Sequence, residues 1–273
     1  MELKQAMKVL VRSRSLQFTR DHVTRQEQRP VECSQVRWWC GDGLPVHYRR
    51  GTSDTGLVYD ILFKPDRHAE YWLPAPLEAR VIFDIGGNIG VASRYLAHRF
   101  PQATVHAFEP IAANLEILRQ NTAGRRIEAH AFGLGSASGE FEFSIPTGIA
   151  ANRGGYSRFA RGPRTQAVRA EIRETGRVLA EVGVDGIDVI KIDTEGAEFD
   201  ILSSFPREVL SRVAWIYGEL HGENLEAPSG FRVLDLLSEW FDVGVFKPLN
   251  KRTFFFDACN KAVSCRYGGF RRH

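Results

Sequence analysis

No apolar stretch in this 273-residue sequence approaches the roughly 18–20 residues that a bilayer-spanning helix needs. A membrane-spanning helix is therefore excluded. Cysteine is scarce: Cys33, Cys40, Cys259 and Cys265 stand in C-x6-C and C-x5-C spacings, which match neither a zinc ribbon nor a thioredoxin-type redox pair. A chain of this length does not need disulfides to stay folded, and free thiols in a reducing compartment are expected. No repeat with a period of about 20–50 residues is visible, which removes solenoids and propellers. The first residues lack the compact apolar core and small-residue cleavage site of a secretory leader, so a cytoplasmic location is expected. Nor is there a large excess of one charge. The net value is +3; residues 1–25 carry +4 and residues 257–273 carry +3, leaving −4 for the middle. A duplex-DNA reader tends to place its basic stripe on the folded body, so no nucleic-acid partner is expected.

What the sequence does have is ordinary globular stock, 43% hydrophobic and 25% charged residues. Leu3, Met7, Leu10 and Val11 fall at helical spacing among basic residues. They form a short amphipathic arm that packs on its own domain or on a second copy, which would make a homo-oligomer; a membrane-surface role is the other option. Residues 36–39, 46–49 and 58–63 are β-rich, so residues 1–75 are expected to be an extension of arm plus small β element. From residue 81 onward the pattern alternates. Short apolar runs at 81–85, 104–108, 127–132, 187–192 and 213–220 predict buried strands, with 141–145 as an edge-like strand. Helical stripes fall between them, at 91–99, at Ile111, Leu115 and Leu118, and at Val233, Leu236, Leu237 and Trp240. Late strands at 241–246 and 252–256 can close the sheet. Such alternation predicts an α/β fold with a doubly wound, mostly parallel sheet over residues 76–273. Ligands then bind beyond the carboxyl ends of the strands.

The first strand runs into Asp84-Ile-Gly-Gly-Asn-Ile-Gly90, a glycine turn that lets backbone approach a ligand at a helix N-terminus. Its D-x-G-x-x-x-G spacing departs from the dinucleotide G-x-G-x-x-G because an aspartate replaces the first glycine. An acid there repels a pyrophosphate and suits the ammonium and sulfonium of S-adenosylmethionine. Glu109 ends the second strand 19 residues after Gly90, where a carboxylate can accept both hydroxyls of an adenosine ribose. It could equally serve as a helix-capping carboxylate.

DIGGNIG, HAFEP, FGLGSASGEFEF, IDVIKIDTEGAEFDIL and YGELHG together resemble the FkbM family of S-adenosylmethionine-dependent methyltransferases, over residues 50–250. The resemblance implies a class I methyltransferase (Rossmann-like) fold: a seven-stranded sheet with one antiparallel strand. It also implies O-methylation of a hydroxyl on a sugar, glycan or secondary metabolite. It carries over Asp84, Gly86, Asn88 and Gly90 as the methionine-side turn, and Glu109 with Pro110 as the ribose side. Phe132 and Gly133 fall where this fold covers the adenine ring.

The fourth and fifth strands end in Asp193, Thr194 and Glu195, and in Glu219 and His221. In-line methyl transfer needs an aligned acceptor oxygen and a group to take its proton. His221, at an ordinary imidazole pKa of about 6.5, is the expected base, with Asp193 and Glu219 as its partners. A rival reading makes Asp193, Glu219 and His221 the ligands of a divalent ion. Glu198 and Asp200 are expected to be solvated. Residues 147–177 hold seven arginines, at 153, 158, 161, 164, 169, 173 and 177, against Glu171 and Glu174. They are expected to form a cover loop that recognises an anionic acceptor. A nucleic-acid methyltransferase and a non-catalytic cofactor-binding partner protein stay as alternatives.

Overall fold

The structure, a computed structural model, describes residues 3–24, 32–64, 70–74, 77–146, 165–221, 228–250 and 253–264. Two helices, α1 (Leu3–Ser13) and α2 (Leu16–Thr24), precede a hairpin of β1 (Cys33–Arg37) and β2 (Pro45–Arg49). Next comes α3 (Asp54–Val58), which widens into a π-helical turn at Tyr59–Phe63. The β-rich composition of 58–63 is thus overridden: Val58, Ile61, Leu62 and Phe63 are buried as helical side chains. The alternating half follows as β3 (Val81–Ile85), α4 (Val91–Arg99), β4 (Thr104–Phe108), α5 (Ala112–Thr122) and β5 (Ile127–His130). It continues with β6 (Gly133–Gly135), β7 (Gly139–Pro146), β8 (Thr165–Glu174), α6 (Thr175–Val182) and β9 (Val189–Ile192). The remaining elements are α7 (Glu198–Ser203), α8 (Arg207–Leu210), β10 (Trp215–His221), α9 (Pro228–Ser238), β11 (Phe241–Asn250), β12 (Thr253–Asn260) and α10 (Lys261–Ser264).

Seven strands form the main sheet in the order β11-β12-β10-β9-β3-β4-β5. Neighbours from β10 to β5 run parallel, and β12 alone runs against them, between β10 and β11. This is the α/β class I methyltransferase sheet that the resemblance implies. Alternate residues serve opposite faces. Ile82, Val105 and Val189 join a core with α1, α2, α3 and α4, whereas Phe83, Ile190 and Ile216 join one with α6, α7 and α9. The β3 strand pairs with β4 on one side and with β9 on the other, so the strand order reverses there.

Three expectations change. The strand at 127–132 stops at His130, and 141–145 belongs to a separate sheet, β6-β8-β7, rather than to the edge of the main one. The stretch 165–177 is no loop: β8 pairs antiparallel with β7, and Glu174 caps α6 by accepting from the Gly176 and Arg177 amides at 2.9 Å each. Residues 147–164, with Arg153, Arg158, Arg161 and Arg164, lie outside the described residues. The arm α1 packs through Val9 and Ser13, while Leu3, Met7 and Val11 are exposed. No helix among the described residues is long and apolar enough to cross a membrane.

Candidate active site

Register sets the site. Ile85 lies level with Phe108 on β4 and with Ile192 on β9, so three strands end on one line, while β10, level with them at Gly218, runs three residues further to His221. A cavity of about 350 Å³ sits beyond them, within the usual range for small-molecule sites. The glycine turn, Glu109-Pro110, the Gly133–Ala137 segment and the Asp193–Glu195 turn line it, with Phe141 and Phe143 of the small sheet. Ser53 and Leu57, from the supposed extension, line it as well.

Gly86 has φ +82°, and a Cβ on it would stand 1.9 Å from the carbonyl oxygen of Asp193. Only glycine lets β3 and β9 end this close together. The turn is held by groups that do not touch the cavity. Asp84, fully buried, takes the Ser93 hydroxyl and the Lys191 ammonium, the latter at 3.0 Å, and Lys191 also donates to the Gly86 carbonyl at 2.7 Å. Burial pushes Lys191 down, but Asp84 and Asp193 outweigh it, so the ammonium sits above its ordinary value. Asp84 therefore shapes the turn instead of facing a ligand's sulfonium. Gly90, at φ +79°, seats the start of α4 against Leu118 and Thr122. Asn88 lines the cavity, and its Oδ1 is buried with no hydrogen-bond partner among the described residues.

Glu109 is 4% exposed. One carboxylate oxygen accepts from the Asn88 amide at 2.8 Å, and the other from the Ile111 amide at 2.9 Å and from Asn114 Nδ2 at 3.4 Å. Burial raises its pKa to about 7 against those hydrogen bonds. Asn114 is itself oriented from outside the sheet: Arg49 Nη1 donates to its Oδ1 at 2.9 Å, while Asp54 clamps the same guanidinium through 2.8 and 3.0 Å bonds. Gly133 and Pro110 line the cavity; Phe132 does not. The Phe132 ring lies between Phe108, His130 and the Arg173 guanidinium, 4.1 Å from its centroid. Arg173 is bound to Glu171 and Glu181.

At the other end, Asp193, Glu195 and Glu219 face the cavity, with His221 behind them. The His221 ring meets Glu198 at 3.2 Å through Nδ1 and Glu219 at 3.2 Å through Nε2; Glu195 lies at 3.7 Å and Asp193 at 3.9 Å. Burial lowers its pKa, but hydrogen bonds to Glu198 and Glu219 and the charge of Asp193 overwhelm that effect and push it up to about 12. His221 is thus an imidazolium with both nitrogens donating, and the neutral base expected from the sequence is not what this geometry holds. Glu198 is not solvated either. Its Oε1 accepts from the Thr194 amide, the Thr194 hydroxyl and the Gly196 amide at 3.0–3.1 Å, tying the 193–196 turn to α7. Glu195 sits at φ +56°, and burial together with Asp193 raises its pKa to about 7. The ligand atoms of Asp193, Glu219 and His221 do come within 4.8 Å of one another, as the divalent-ion reading requires.

Residues 84–242 match the methyltransferase FkbM domain. The chain belongs to the FkbM methyltransferase family. Among curated proteins, the AMB antimetabolite synthetase AmbE of Pseudomonas aeruginosa is 28% identical over 230 residues, covering 70% of this chain and 11% of that protein. The 31-O-demethyl-FK506 methyltransferase FkbM of Streptomyces tacrolimicus is 26% identical, covering 52% of this chain and 65% of its own. The 2-O-methyltransferase NoeI of Sinorhizobium fredii is 27% identical, covering 61% and 74%. This FkbM-family chain thus spans about a tenth of the first relative's length. Lys191, Asn114 and Arg49 went unseen in the sequence. A lone lysine in the apolar Val189–Ile192 strand was the one available signal, because a fully buried cation demands a buried partner.

Proposed function

We propose that this chain transfers a methyl group from S-adenosylmethionine to a hydroxyl of a small acceptor: a sugar, glycan or secondary metabolite. One observation carries the reading. A single cavity has a hydrogen-bond acceptor pair, Glu109, on one side and three carboxylates, Asp193, Glu195 and Glu219, on the other. The cosubstrate supplies a methyl carbon bonded to a positive sulfur. Glu109 Oε2 accepts only the Asn88 amide and keeps a lone pair for a ribose hydroxyl, and the long 3.4 Å bond from Asn114 leaves Oε1 the weaker hold for a second one to replace. The orphaned Asn88 Oδ1 suits the donors of the same ligand, and the carboxylate end suits its positive charge. At that end Asp193 and Glu219 would orient the acceptor hydroxyl toward the methyl carbon and take its proton as the methyl passed from sulfur to oxygen. Their imidazolium neighbour steadies the anionic form in place of acting as the base. Two relatives named as O-methyltransferases support oxygen as the acceptor atom. The arginines of 153–164 favour an acceptor that carries a phosphate or carboxylate.

Calorimetry tests the binding half: S-adenosylmethionine and S-adenosylhomocysteine should bind, NAD should not, and Glu109→Ala should abolish nucleoside binding. Release of S-adenosylhomocysteine across a panel of nucleotide-sugars and polyols tests the transfer, with Asp193→Asn and Glu219→Gln expected to lower kcat. Loss of turnover on chelation, restored by a divalent salt, would favour the ion-bridged form of the same end. Wild-type protein that binds neither nucleoside refutes the proposal.

A further inference from the structure

A second cluster lies away from the cavity, on the edge of the main sheet. His106 projects from β4; Glu128 and His130, two residues apart on β5, share a face. The register sets His106 level with Glu128 and Phe108 level with His130. His130 Nε2 stands 3.3 Å from His106 Nδ1, and Glu128 Oε2 stands 3.4 Å from that same nitrogen. All three ligand atoms lie within 4.8 Å of one another. None of the three residues lines the cavity.

The distances are informative. Two ligands of a tetrahedral ion with bonds of roughly 2.0–2.1 Å stand about 3.3–3.4 Å apart. A proton on His106 Nδ1 can satisfy one of the two groups facing it, whereas a cation satisfies all three. The rings are also fixed in advance. His106 is 3% exposed and meets Phe83 edge-on at 5.4 Å, and His130 is stacked on Phe108 at 4.6 Å and 14°. Glu128, with its side chain 62% exposed, leaves one side open to solvent for entry and for a fourth ligand. The geometry points to a transition-metal site of the zinc class, formed by His106, Glu128 and His130 and open at one position. Two imidazoles with one carboxylate select Zn²⁺ and its neighbours over Mg²⁺ or Ca²⁺. The ion clamps the edge strand β5 onto β4, three residues before Gly133 enters the cavity wall.

The site is tested on the full chain after metal stripping, by calorimetric titration with ZnCl₂ and by the visible absorption of added Co²⁺, which is strong only in four-coordinate sites. One Zn²⁺ should bind, raise the melting temperature and give the Co²⁺ band. His130→Ala and Glu128→Gln should each weaken binding about tenfold or more, while His221→Ala should leave it in place. Circular dichroism of the metal-free variants checks folding, and the exposed Glu128 carries the test if His130→Ala fails to fold. No binding by the wild type, or binding lost in His221→Ala and retained in Glu128→Gln, overturns the assignment. Nucleoside binding is a separate measurement, so this site and the proposed methyl transfer fail independently.

Discussion

Lys191 reaches Asp84 at 3.0 Å where the two side chains are 3% and 0% exposed. Removing one partner of such a pair leaves the other charged and dry, at a cost of about 3–5 kcal/mol. Lys191→Met should therefore lower the urea midpoint sharply, and Asp84→Asn added to it should restore part of the loss; an unchanged midpoint in the single variant would contradict the pairing. Asp84 was legible as a residue that matters, but its partner was not, since the two are 107 positions apart in sequence and meet only through the β3–β9 register. Glu109 was legible in place and in kind because strand-end position and spacing alone locate it. Its protonation was not, being a product of burial. A carboxyl raised from 4.5 to about 7 binds more protons folded than unfolded between those values. Its contribution to stability is then undiminished below about pH 4.5, falls as pH rises to about 7, and is level above that. A ribose diol donates to the ionised form, so affinity for S-adenosylhomocysteine should increase from about pH 6 to about pH 8 and then plateau. In Glu109→Gln the affinity should be weaker and free of this slope, as calorimetry across that range would show.

Where β3 and β9 end, two elements come closer than a side chain permits. Gly86→Ala would drive a methyl into the Asp193 carbonyl at 1.9 Å and impose a left-handed backbone on alanine. The strand ends must part, and a loss of at least about 2 kcal/mol is expected. Thermal melting should show it, together with weakened nucleoside binding because Asn88 and Asp193 shift with the turn. Strands of the main sheet were readable because burial on both faces makes them short continuous apolar runs. The small sheet obeyed a different rule. In β8, Val168, Ala170 and Ile172 pack inward while Arg169, Glu171 and Arg173 alternate outward. Counted as charges, those outward residues look like a loop; counted with period two, they are one face of a strand. The 58–63 segment failed the other way, since aromatic and β-branched residues suit a buried helix equally well once tertiary packing chooses.

The described residues of 3–63 pack as one wall against the main sheet's helices. Three polar joints tie the β1–β2 hairpin region to the methyltransferase sheet. Asp42 holds Arg94, fully buried, and Arg125 at 2.6 Å. Asn121 exchanges hydrogen bonds with the His47 backbone at 2.6 and 3.0 Å while donating to Ile89 of the glycine turn at 2.7 Å. Arg49, locked by Asp54, orients the Asn114 amide that faces Glu109. Around these joints, Val46, Tyr48, Val58 and Phe63 share one apolar core with Val91, Leu96 and Val105. Local composition cannot reveal such joints, because each links residues about 50 or more positions apart through side chains that are individually ordinary. A fragment of residues 76–273 would expose that core and strand Arg94, Asn114 and Asn121 without their partners. It should lack a cooperative thermal transition and near-ultraviolet dichroism, and should not bind S-adenosylhomocysteine. In the full chain, Arg49→Met leaves Asp54 buried and unpaired, so its urea midpoint should fall as for Lys191→Met, and the folded fraction should bind the nucleoside about tenfold more weakly, the worth of one well-placed charged hydrogen bond. A fragment that melts cooperatively and binds the nucleoside as the full chain does would show that the wall is dispensable and that Glu109 is held from within the sheet.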